Sequence, residues 1–284
     1  MKARYLLILL PAAYGYGLLT VTAKVFPFEQ IQAVKHALVG IPEIRVVDTA
    51  PFTLAEDAAD YTDRLVLVTY GQSNAANTGQ LGYEVKHPVF MVYNGDAYNY
   101  ADPALGGTGV NASVWGRVGD NLVDRGITSA VFFVNTGWGA SSIGDLGEGH
   151  RFAFFEDQIR QTQERYGRID GVLLHQGERN HHAMDGSATY WGDFQAFNKK
   201  VRTLTDAPIY LSQVSYCGAR KPDETLLSIQ DDIIREITGV LRGPNSDLLL
   251  EVKHRLPDQC HFSALGLDAL AAMWAASIIE SSED

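Results

Sequence analysis

From residue 64 onward, segments with two different patterns of hydrophobic and polar residues alternate along the chain. Five apolar runs are rich in β-formers and lack polar alternation, as strands buried on both faces do. They span residues 64–70, 88–93, 129–135, 169–175 and 208–214. Five amphipathic stretches lie between and after these runs and predict helices. They span residues 113–125, 150–166, 187–205, 223–241 and 262–280. This alternation predicts an α/β fold with a five-stranded parallel sheet, helices on both faces and, through right-handed crossovers, a flavodoxin-like strand order.

The N-terminus has a different pattern. Lys2 and Arg4 precede an uncharged run that extends to Ala23. An apolar run of about 18 residues or more is a candidate membrane span, and we expect it to form an N-terminal hydrophobic helix. The positive residues before it place the rest of the chain outside the cytoplasm. A cleaved signal peptide is the alternative for residues 1–23, because Val21-Thr22-Ala23 resembles a small-residue cleavage site. The length of the run favours a retained anchor, which gives a periplasmic or cell-surface protein; a cleaved one gives a secreted protein.

Residues 24–63 connect this run to the predicted sheet. Apolar residues at helical intervals predict an amphipathic helix over 26–39, which either lies on the membrane surface or packs on the following domain. Residues 40–63 contain prolines and an acidic run, which is typical of a linker. The expected organisation is therefore a signal anchor or signal peptide at 1–23, a helix and linker at 24–63, and one globular domain at 64–284.

Composition and charge bear on the size of the core and on the class of binding partner. Of the 284 residues 46% are hydrophobic, which is enough to form one sizeable core. The formal net charge of -11 argues against a nucleic-acid partner.

The first apolar run ends in a small polar turn, Gly71-Gln72-Ser73-Asn74. Open α/β sheets bind ligands at the carboxyl ends of their strands, so the Ser73 hydroxyl would lie in a typical site. A serine nucleophile needs a base and a group that orients the base. Asp258 and His261 are three residues apart before the last predicted helix, so one loop can aim the carboxylate at the imidazole. Each motif alone is usually a turn or a helix cap, but together they predict the catalytic triad Ser73, His261 and Asp258.

Four blocks in this order resemble those of the SGNH hydrolases, and most closely the sialate O-acetylesterase-like carbohydrate esterase branch. The blocks are Gly71-Gln72-Ser73-Asn74, Trp138-Gly139-Ala140-Ser141-Ser142-Ile143, His175-Gln176-Gly177-Glu178 and Asp258-x-x-His261. The resemblance spans residues 64–280 and implies the three-layer α/β/α sandwich of that fold. It also implies release of a small acyl group, acetyl, from a carbohydrate. The chain departs from the branch at Ala140, where a second glycine is common, and at Arg179-Asn180, where Ser-Asp is usual.

Acyl transfer also requires hydrogen-bond donors for the oxyanion. The candidates are the backbone N–H of Ser73, the backbone of Gly139 after the third predicted strand, and the side-chain amide of Gln176 after the fourth. The alternatives are that Gly139 only forms a turn and that Gln176 only caps a strand. Glu178 is expected to support its loop more than to perform chemistry.

Polar and aromatic residues near these blocks are candidates for contact with a sugar. The substrate-binding candidates are Gln72, Asn74, Trp115, Trp138, Glu178 and Arg179, with His181 and His182 at the rim. Both tryptophans have a core position as the alternative. The long loop 94–112, rich in Gly, Asn and Tyr, is expected to form part of the cleft. Segment 175–185 holds metal-ligand residue types but no zinc spacing such as H-E-x-x-H, so we predict no metal and no cofactor.

The chain has two cysteines. Cys217 follows the last predicted strand and Cys260 adjoins His261, so both are expected at the carboxyl edge of the sheet. An exported chain meets oxidising conditions, which predicts a Cys217–Cys260 disulfide. Two free thiols are the alternative.

These observations predict an extracytoplasmic serine esterase that acts on an acylated carbohydrate and contacts a membrane through residues 1–23. Two alternatives remain. An O-acyltransferase would use the same triad, and a non-catalytic carbohydrate-binding module would use the same scaffold, although the intact triad disfavours the module.

Overall fold

The computed structural model describes residues 47–80, 82–182, 186–218 and 220–281. The hydrophobic segment 1–23 and the amphipathic helix predicted over 26–39 lie outside these residues. Within the described ranges, no helix has the length and apolar character needed to cross a bilayer.

Seven strands and seven α-helices are present in the described part of the chain. The strands are β1 Arg64–Gly71, β2 Val89–Tyr93, β3 Asp96–Asn99, β4 Ala130–Asn135, β5 Gly171–His175, β6 Ile209–Gln213 and β7 Val240–Asn245. The helices are α1 Trp115–Asp124, α2 Ile143–Leu146, α3 Gly149–Tyr166, α4 Glu178–His182, α5 Gly186–Val201, α6 Glu224–Glu236 and α7 Ala264–Glu280.

The strands form one sheet in the order β3-β2-β4-β1-β5-β6-β7. All neighbours pair in parallel except β2 and β3, which are antiparallel. The prediction of a five-stranded sheet is therefore wrong in number, since it omits β3 and β7. Six strands are parallel, in the order β2-β4-β1-β5-β6-β7. Five of them, β4-β1-β5-β6-β7, follow the 2-1-3-4-5 order of flavodoxin-like sheets when numbered along the chain, and the β2–β3 hairpin extends that sheet at its edge. The five strands predicted from the sequence include β2 in place of β7, and β4 lies between β2 and β1.

The two omitted strands have local explanations. β3 follows β2 through Asn94 and Gly95, which have φ of 52° and 81°, as a tight hairpin turn requires. β7 contains Gly243-Pro244, and proline is confined to edge strands because it cannot donate to the ladder. Consequently β3 lies inside the predicted loop 94–112, and α6 ends earlier than predicted.

Each face of the sheet is covered by its own helices, which gives three layers. One buried cluster joins the sheet to α3, α5 and α6, and the other joins it to α1 and α7. Alternate residues of β1 point into the two clusters, with Val66 and Val68 in the first and Leu67 in the second. β1 is thus buried on both faces and also lies between β4 and β5, so the turn after it emerges at the centre of the carboxyl edge.

The described part of the predicted linker packs on the sheet edge. Leu54 forms a β-bridge with Tyr98, and the Ala55 N–H donates to the Ala97 carbonyl at 3.0 Å. Residues 53–55 therefore run beside β3.

Candidate active site

The turn that carries Ser73 depends on a close approach of two strands. Gly71 ends β1 with φ of 133°, and a Cβ there would lie 2.1 Å from the carbonyl oxygen of His175 on β5. Only glycine adopts this conformation and fits this space. The next residue, Gln72, donates its N–H to the same carbonyl at 3.1 Å. Ser73 then begins a single 3-10 turn, Ser73–Ala75, whose first N–H groups have no partner within the turn.

The candidate base and its orienting carboxylate form a compact pair. Nδ1 of His261 lies 2.6 Å from Oδ2 of Asp258. The second carboxylate oxygen, Oδ1, accepts the N–H groups of Cys260 at 2.9 Å and His261 at 3.0 Å. Burial alone would raise the pKa of Asp258, but the hydrogen bonds from Cys260 and His261 and the charge of His261 outweigh it and lower the pKa. An ionised carboxylate on Nδ1 leaves Nε2 to take a proton from a nucleophile.

Asn74 joins the serine turn to the histidine loop. Its Nδ2 donates to the Cys260 carbonyl at 3.2 Å and to Oε1 of Glu178 at 2.7 Å. The residue after Ser73 is therefore bonded to the residue before His261. A second link follows from Gln80, whose N–H donates to the Phe262 carbonyl at 3.1 Å. The structure thus brings together the segments that hold the three predicted triad residues.

Glu178 lies behind this junction and is fully buried. Burial alone would raise its pKa, but the hydrogen bond and charge of His175 and the hydrogen bond from Asn74 outweigh it and lower the pKa. Nε2 of His175 is 3.5 Å from Oε1 of Glu178. The inclusion of Glu178 among the substrate-binding candidates is therefore wrong, because the side chain is buried. Its contacts agree with the expected role of supporting its loop.

Gln176 is also fully buried, and its side-chain amide is bonded within the protein. Nε2 donates to Oδ1 of Asn180 at 2.7 Å and to the Ser141 carbonyl at 3.1 Å, and lies 3.4 Å from Oε1 of Gln72. Asn180 Oδ1 also accepts the Ile143 N–H at 3.0 Å. The amide therefore ties together the loops after β1, β4 and β5. These contacts do not support its predicted role as an oxyanion donor, which stays a prediction.

Gly139, the other predicted donor, is only partly buried. Its N–H donates to Oγ1 of Thr108 at 2.8 Å. The adjacent Ala140 is exposed and has φ of 57°, a conformation that glycine adopts without strain. This strain falls at the position where the chain departs from the related branch.

The predicted sugar contacts separate into buried and accessible groups. Trp115 is fully buried, and its Nε1 donates to the Ala75 carbonyl at 2.9 Å, so the prediction that it stacks on a sugar is wrong. Gln72 and Asn74 are buried as well and hold loops together rather than face a ligand. Trp138 is partly exposed and Arg179 is exposed.

The two rim histidines bond to backbone carbonyls of the loop after β6. Nδ1 of His181 lies 2.9 Å from the Ser215 carbonyl, and Nε2 of His182 lies 3.1 Å from the Cys217 carbonyl. Among the described residues, no group of three or more His, Cys, Asp or Glu side chains is arranged to hold a metal ion.

A disulfide joins this loop to the histidine loop. Cys217 and Cys260 are bonded to each other across 43 positions of sequence, which is the pair proposed from the sequence. The Gly218 N–H also donates to the Gln259 carbonyl at 3.3 Å. The histidine loop is thus attached to the carboxyl end of β6.

Arg255 gives the histidine loop a second attachment, which sequence reasoning missed. Its buried guanidinium donates to three carbonyls, those of Cys260 at 2.7 Å, Leu249 at 2.8 Å and Ser246 at 3.0 Å. The guanidinium also lies 3.9 Å from the centroid of the Phe262 ring. Nothing in the local pattern around Arg255 separates it from a surface cation, so its role emerges only from the fold.

Solved structures similar to this chain share its fold. A protein from Arabidopsis thaliana matches with a TM-score of 0.62 at 13% identity, over 77% of this chain and 98% of that chain. NanS matches with a TM-score of 0.52 at 13% identity, over 78% and 98%. The psychrotrophic esterase EstA from Pseudoalteromonas sp. matches with a TM-score of 0.50 at 11% identity, over 77% and 99%. No curated protein matches the chain.

Comparison with protein-family models identifies a family, whereas the similar structures show only the fold. The model of the family described as carbohydrate esterase, sialic acid-specific acetylesterase, matches residues 63–280. This range covers most of the chain and contains all four blocks that carried the resemblance. The chain therefore belongs to this family of carbohydrate esterases and is a carboxylic ester hydrolase.

Proposed function

We propose that this protein is a serine esterase that removes acetyl groups from a carbohydrate outside the cytoplasm. The observation that carries the proposal is the Asp258–His261 pair, at 2.6 Å, joined to the Ser73 turn through Asn74. The family supports a carbohydrate acetylester as the substrate class. The buried links between the serine turn and the histidine loop are those that a working triad requires, because the base must stay aimed at the nucleophile.

The reaction follows from the arrangement of the triad. Nε2 of His261 takes the Ser73 proton as the Ser73 oxygen attacks the ester carbon, and Asp258 stabilises the imidazolium that forms. The imidazolium then protonates the leaving sugar oxygen as the C–O bond breaks, which leaves an acetyl-enzyme. Water, deprotonated by His261, attacks this ester and releases acetate, and Ser73 regains its proton.

Arg179 supports an acidic sugar as the substrate. Arg179 is exposed. Its backbone N–H donates to Oε1 of Gln72 at 2.9 Å, and Gln72 is the residue before Ser73. A guanidinium binds carboxylates in a bidentate manner, and sialic acids, named in the family description, carry a carboxylate. We expect Arg179→Gln to raise KM for an acetylated acidic sugar about tenfold and to leave KM for a neutral acetylated sugar unchanged. Equal effects on both substrates would contradict this role.

Export and a membrane anchor through residues 1–23 complete the proposal. The disulfide supports an oxidising compartment. Fractionation of the full-length protein beside a chain that starts at Gly40 tests both points. We expect the full chain in the membrane fraction with its catalytic domain accessible from outside. Recovery of both chains from the cytosol would contradict export and anchoring together.

Acetate release by the wild type and by triad variants tests the activity. Ser73→Ala and His261→Ala should each lower kcat by about 10⁴-fold or more, since triad members act as a unit, with unchanged circular dichroism. Asp258→Asn should leave measurable residual activity. Acetyl transfer to an added sugar at a rate above that of acetate release would instead identify an O-acyltransferase. Near wild-type acetate release by Ser73→Ala would contradict the triad.

A further inference from the structure

An open cavity of about 660 Å³ lies on the flank of the domain. It is lined by residues 82–85, which follow the serine turn along the chain, and by residues 100–102, which follow β3. Among the described residues that line it, none belongs to the predicted triad. A concave surface that combines aromatic rings with a few polar groups is typical of a small-molecule site, so we asked which ligand the lining residues fit.

Tyr83, in the wall of this cavity, is held by contacts on one face and at its hydroxyl. The guanidinium of Arg117 lies 4.1 Å from the centroid of the Tyr83 ring and covers one of its faces. Arg117 is buried, and its Nε–H donates to Oδ1 of Asp268 at 2.7 Å. The Tyr83 hydroxyl donates to Oδ2 of Asp120. The face of the ring opposite Arg117 is therefore the one that a ligand in the cavity can contact.

Asp102 is fixed in another part of the same wall. Its Oδ1 accepts the Ser113 N–H at 3.0 Å and the Tyr100 hydroxyl at 3.2 Å. Its Oδ2 has no hydrogen-bond partner among the described residues, and burial raises the pKa of this carboxyl. An acceptor without a partner in a partly buried site is unfavourable. A ligand hydroxyl that donates to Oδ2 satisfies this acceptor.

The charge of the lining narrows the ligand further. Among the described residues that line the cavity, Glu84 and Asp102 are acidic and none is basic. Glu84 is exposed. Two carboxylates repel a carboxylated sugar, whereas the hydroxyls of a neutral sugar can donate to them and its C–H face can pack on a tyrosine ring. In a member of a carbohydrate esterase family, the cavity therefore fits a neutral sugar unit.

The cavity lies beside the histidine loop without including it. Gln80, two residues before the lining segment, donates its N–H to the Phe262 carbonyl at 3.1 Å and accepts the Ala264 N–H through Oε1 at 2.9 Å. Phe262 follows His261, and Ala264 begins α7. Asp268, which holds the guanidinium under Tyr83, belongs to the first turns of the same helix. A sugar in the cavity is thus bound on the flank next to the catalytic loops.

We propose that this cavity is an accessory site for a neutral sugar unit, which stacks on Tyr83 and donates hydroxyls to Asp102 and Glu84. A second point of attachment on one chain raises the effective concentration of the other units at the enzyme. The accessory site therefore favours an acetylated oligosaccharide or polysaccharide over an acetylated monosaccharide. The inference takes its ligand class from the proposed function and adds to it a binding site outside the four sequence blocks.

Isothermal titration calorimetry of the full-length protein with unacetylated xylohexaose, cellohexaose and mannohexaose tests the site without catalysis. We expect the wild type to bind at least one of them, and Tyr83→Ala to weaken that binding by about tenfold or more. Asp102→Asn should have a similar effect, because it keeps Oδ1 and replaces the acceptor Oδ2 by a donor. Tyr83→Phe is the matched control, since it keeps the ring over Arg117; its affinity should stay within about threefold of the wild type.

Hydrolysis of an aryl acetate separates the accessory site from the esterase function, because so small an ester reaches the triad without a sugar unit in the cavity. We expect Tyr83→Ala to keep the wild-type kcat/KM for it. A matching loss of aryl acetate hydrolysis in Tyr83→Ala would assign Tyr83 to the fold or the triad and overturn the proposal.

The binding data can overturn the accessory site on their own. Failure of the wild type to bind any of the three hexasaccharides would do so, and so would equal affinities in the wild type, Tyr83→Ala and Asp102→Asn. Equal losses in Tyr83→Phe and Tyr83→Ala would contradict stacking on the ring. Binding that depends on Tyr83, in a protein whose aryl acetate hydrolysis does not depend on Ser73, would support the accessory site and refute the serine esterase function.

Discussion

The serine turn and the histidine loop are held in place by different means. Ser73 follows β1, which is buried on both faces and paired on both edges. The residues around Ser73 are packed against His175, Gln176 and Glu178, which are fully buried. Asp258 and His261 lie on a surface loop with 48% and 25% of their side-chain area exposed. That loop is attached by the disulfide, by Arg255 and by Asn74.

The position of the nucleophile, Ser73, and the position of the base, His261, therefore depend on different parts of the structure. The nucleophile is positioned by the core of the sheet, so its placement is lost only when the fold is lost. The base is positioned by a few crosslinks, so its placement can be lost while the rest of the domain stays folded. Variants on the two sides should therefore differ in whether stability or activity changes first.

The largest effect is expected on the serine side, from Gly71→Ala. The added Cβ would lie 2.1 Å from the His175 carbonyl oxygen, at φ of 133°. We expect a loss of more than about 4 kcal/mol in the free energy of unfolding, with activity lost in proportion to the folded fraction. Gly126→Ala is the matched control, because Gly126 has φ of 69° but no atom within 4 Å of a Cβ; it should cost about 1 kcal/mol. Equal destabilisation in the two variants, measured by urea unfolding, would contradict the close-approach argument.

A smaller effect on stability and a separate effect on activity are expected from removal of the disulfide. The Cys217→Ala/Cys260→Ala double variant should lose at most about 4 kcal/mol, the chain-entropy value for a loop of this length. Its kcat should fall even at temperatures where the domain remains folded, because the histidine loop then keeps only its attachments through Arg255 and Asn74. Reductant should reproduce both losses in the wild type and have no effect on the double variant. Two titratable thiols in the exported wild-type protein, or unchanged kcat in the double variant, would contradict this prediction.

The smallest expected effect is the pH dependence of stability that Glu178 contributes. The folded state lowers the pKa of Glu178 below its unfolded value of about 4.3. The stability that ionised Glu178 contributes to the fold is therefore present above the unfolded pKa and is lost as the pH falls through the lower, folded pKa. Tm of Glu178→Gln should decline less steeply than that of the wild type below about pH 4.3. The exposed Glu164→Gln is the surface control. Identical slopes of Tm against pH in Glu178→Gln and the wild type would contradict the prediction.

Sequence patterns predicted the parts of the fold that depend on local composition. The run at 64–70 became β1, and the predicted helix at 150–166 became α3. The hairpin of β2 and β3 carries an Asn94-Gly95 signal that a search for tight turns would have found. β7 was missed because Gly243-Pro244 interrupts an otherwise β-like segment. Patterns therefore identified buried elements well and edge elements poorly.

Some residues of the candidate site could be predicted from the sequence and others could not. Asp258 and His261 were predicted as partners because their three-residue spacing confines them to one loop, and they lie 2.6 Å apart. Trp115 was placed among the substrate-binding candidates with the core as the alternative, and it is a core residue; its helical spacing with Val118 and Leu122 in α1 was the signal for the core. Arg255 was missed because its three carbonyl partners, five, six and nine positions away, surround it only in the folded loop.

Covalent labelling with an aryl phosphonate or a sulfonyl fluoride tests most directly the claim that His261 activates Ser73. Peptide mass spectrometry should find one adduct, on Ser73 of the wild type. The rate of labelling should fall at least about 100-fold in His261→Ala, because the base no longer removes the serine proton. The chelator-treated wild type should react at the untreated rate. An adduct on another residue, or an equal rate in His261→Ala, would contradict the account.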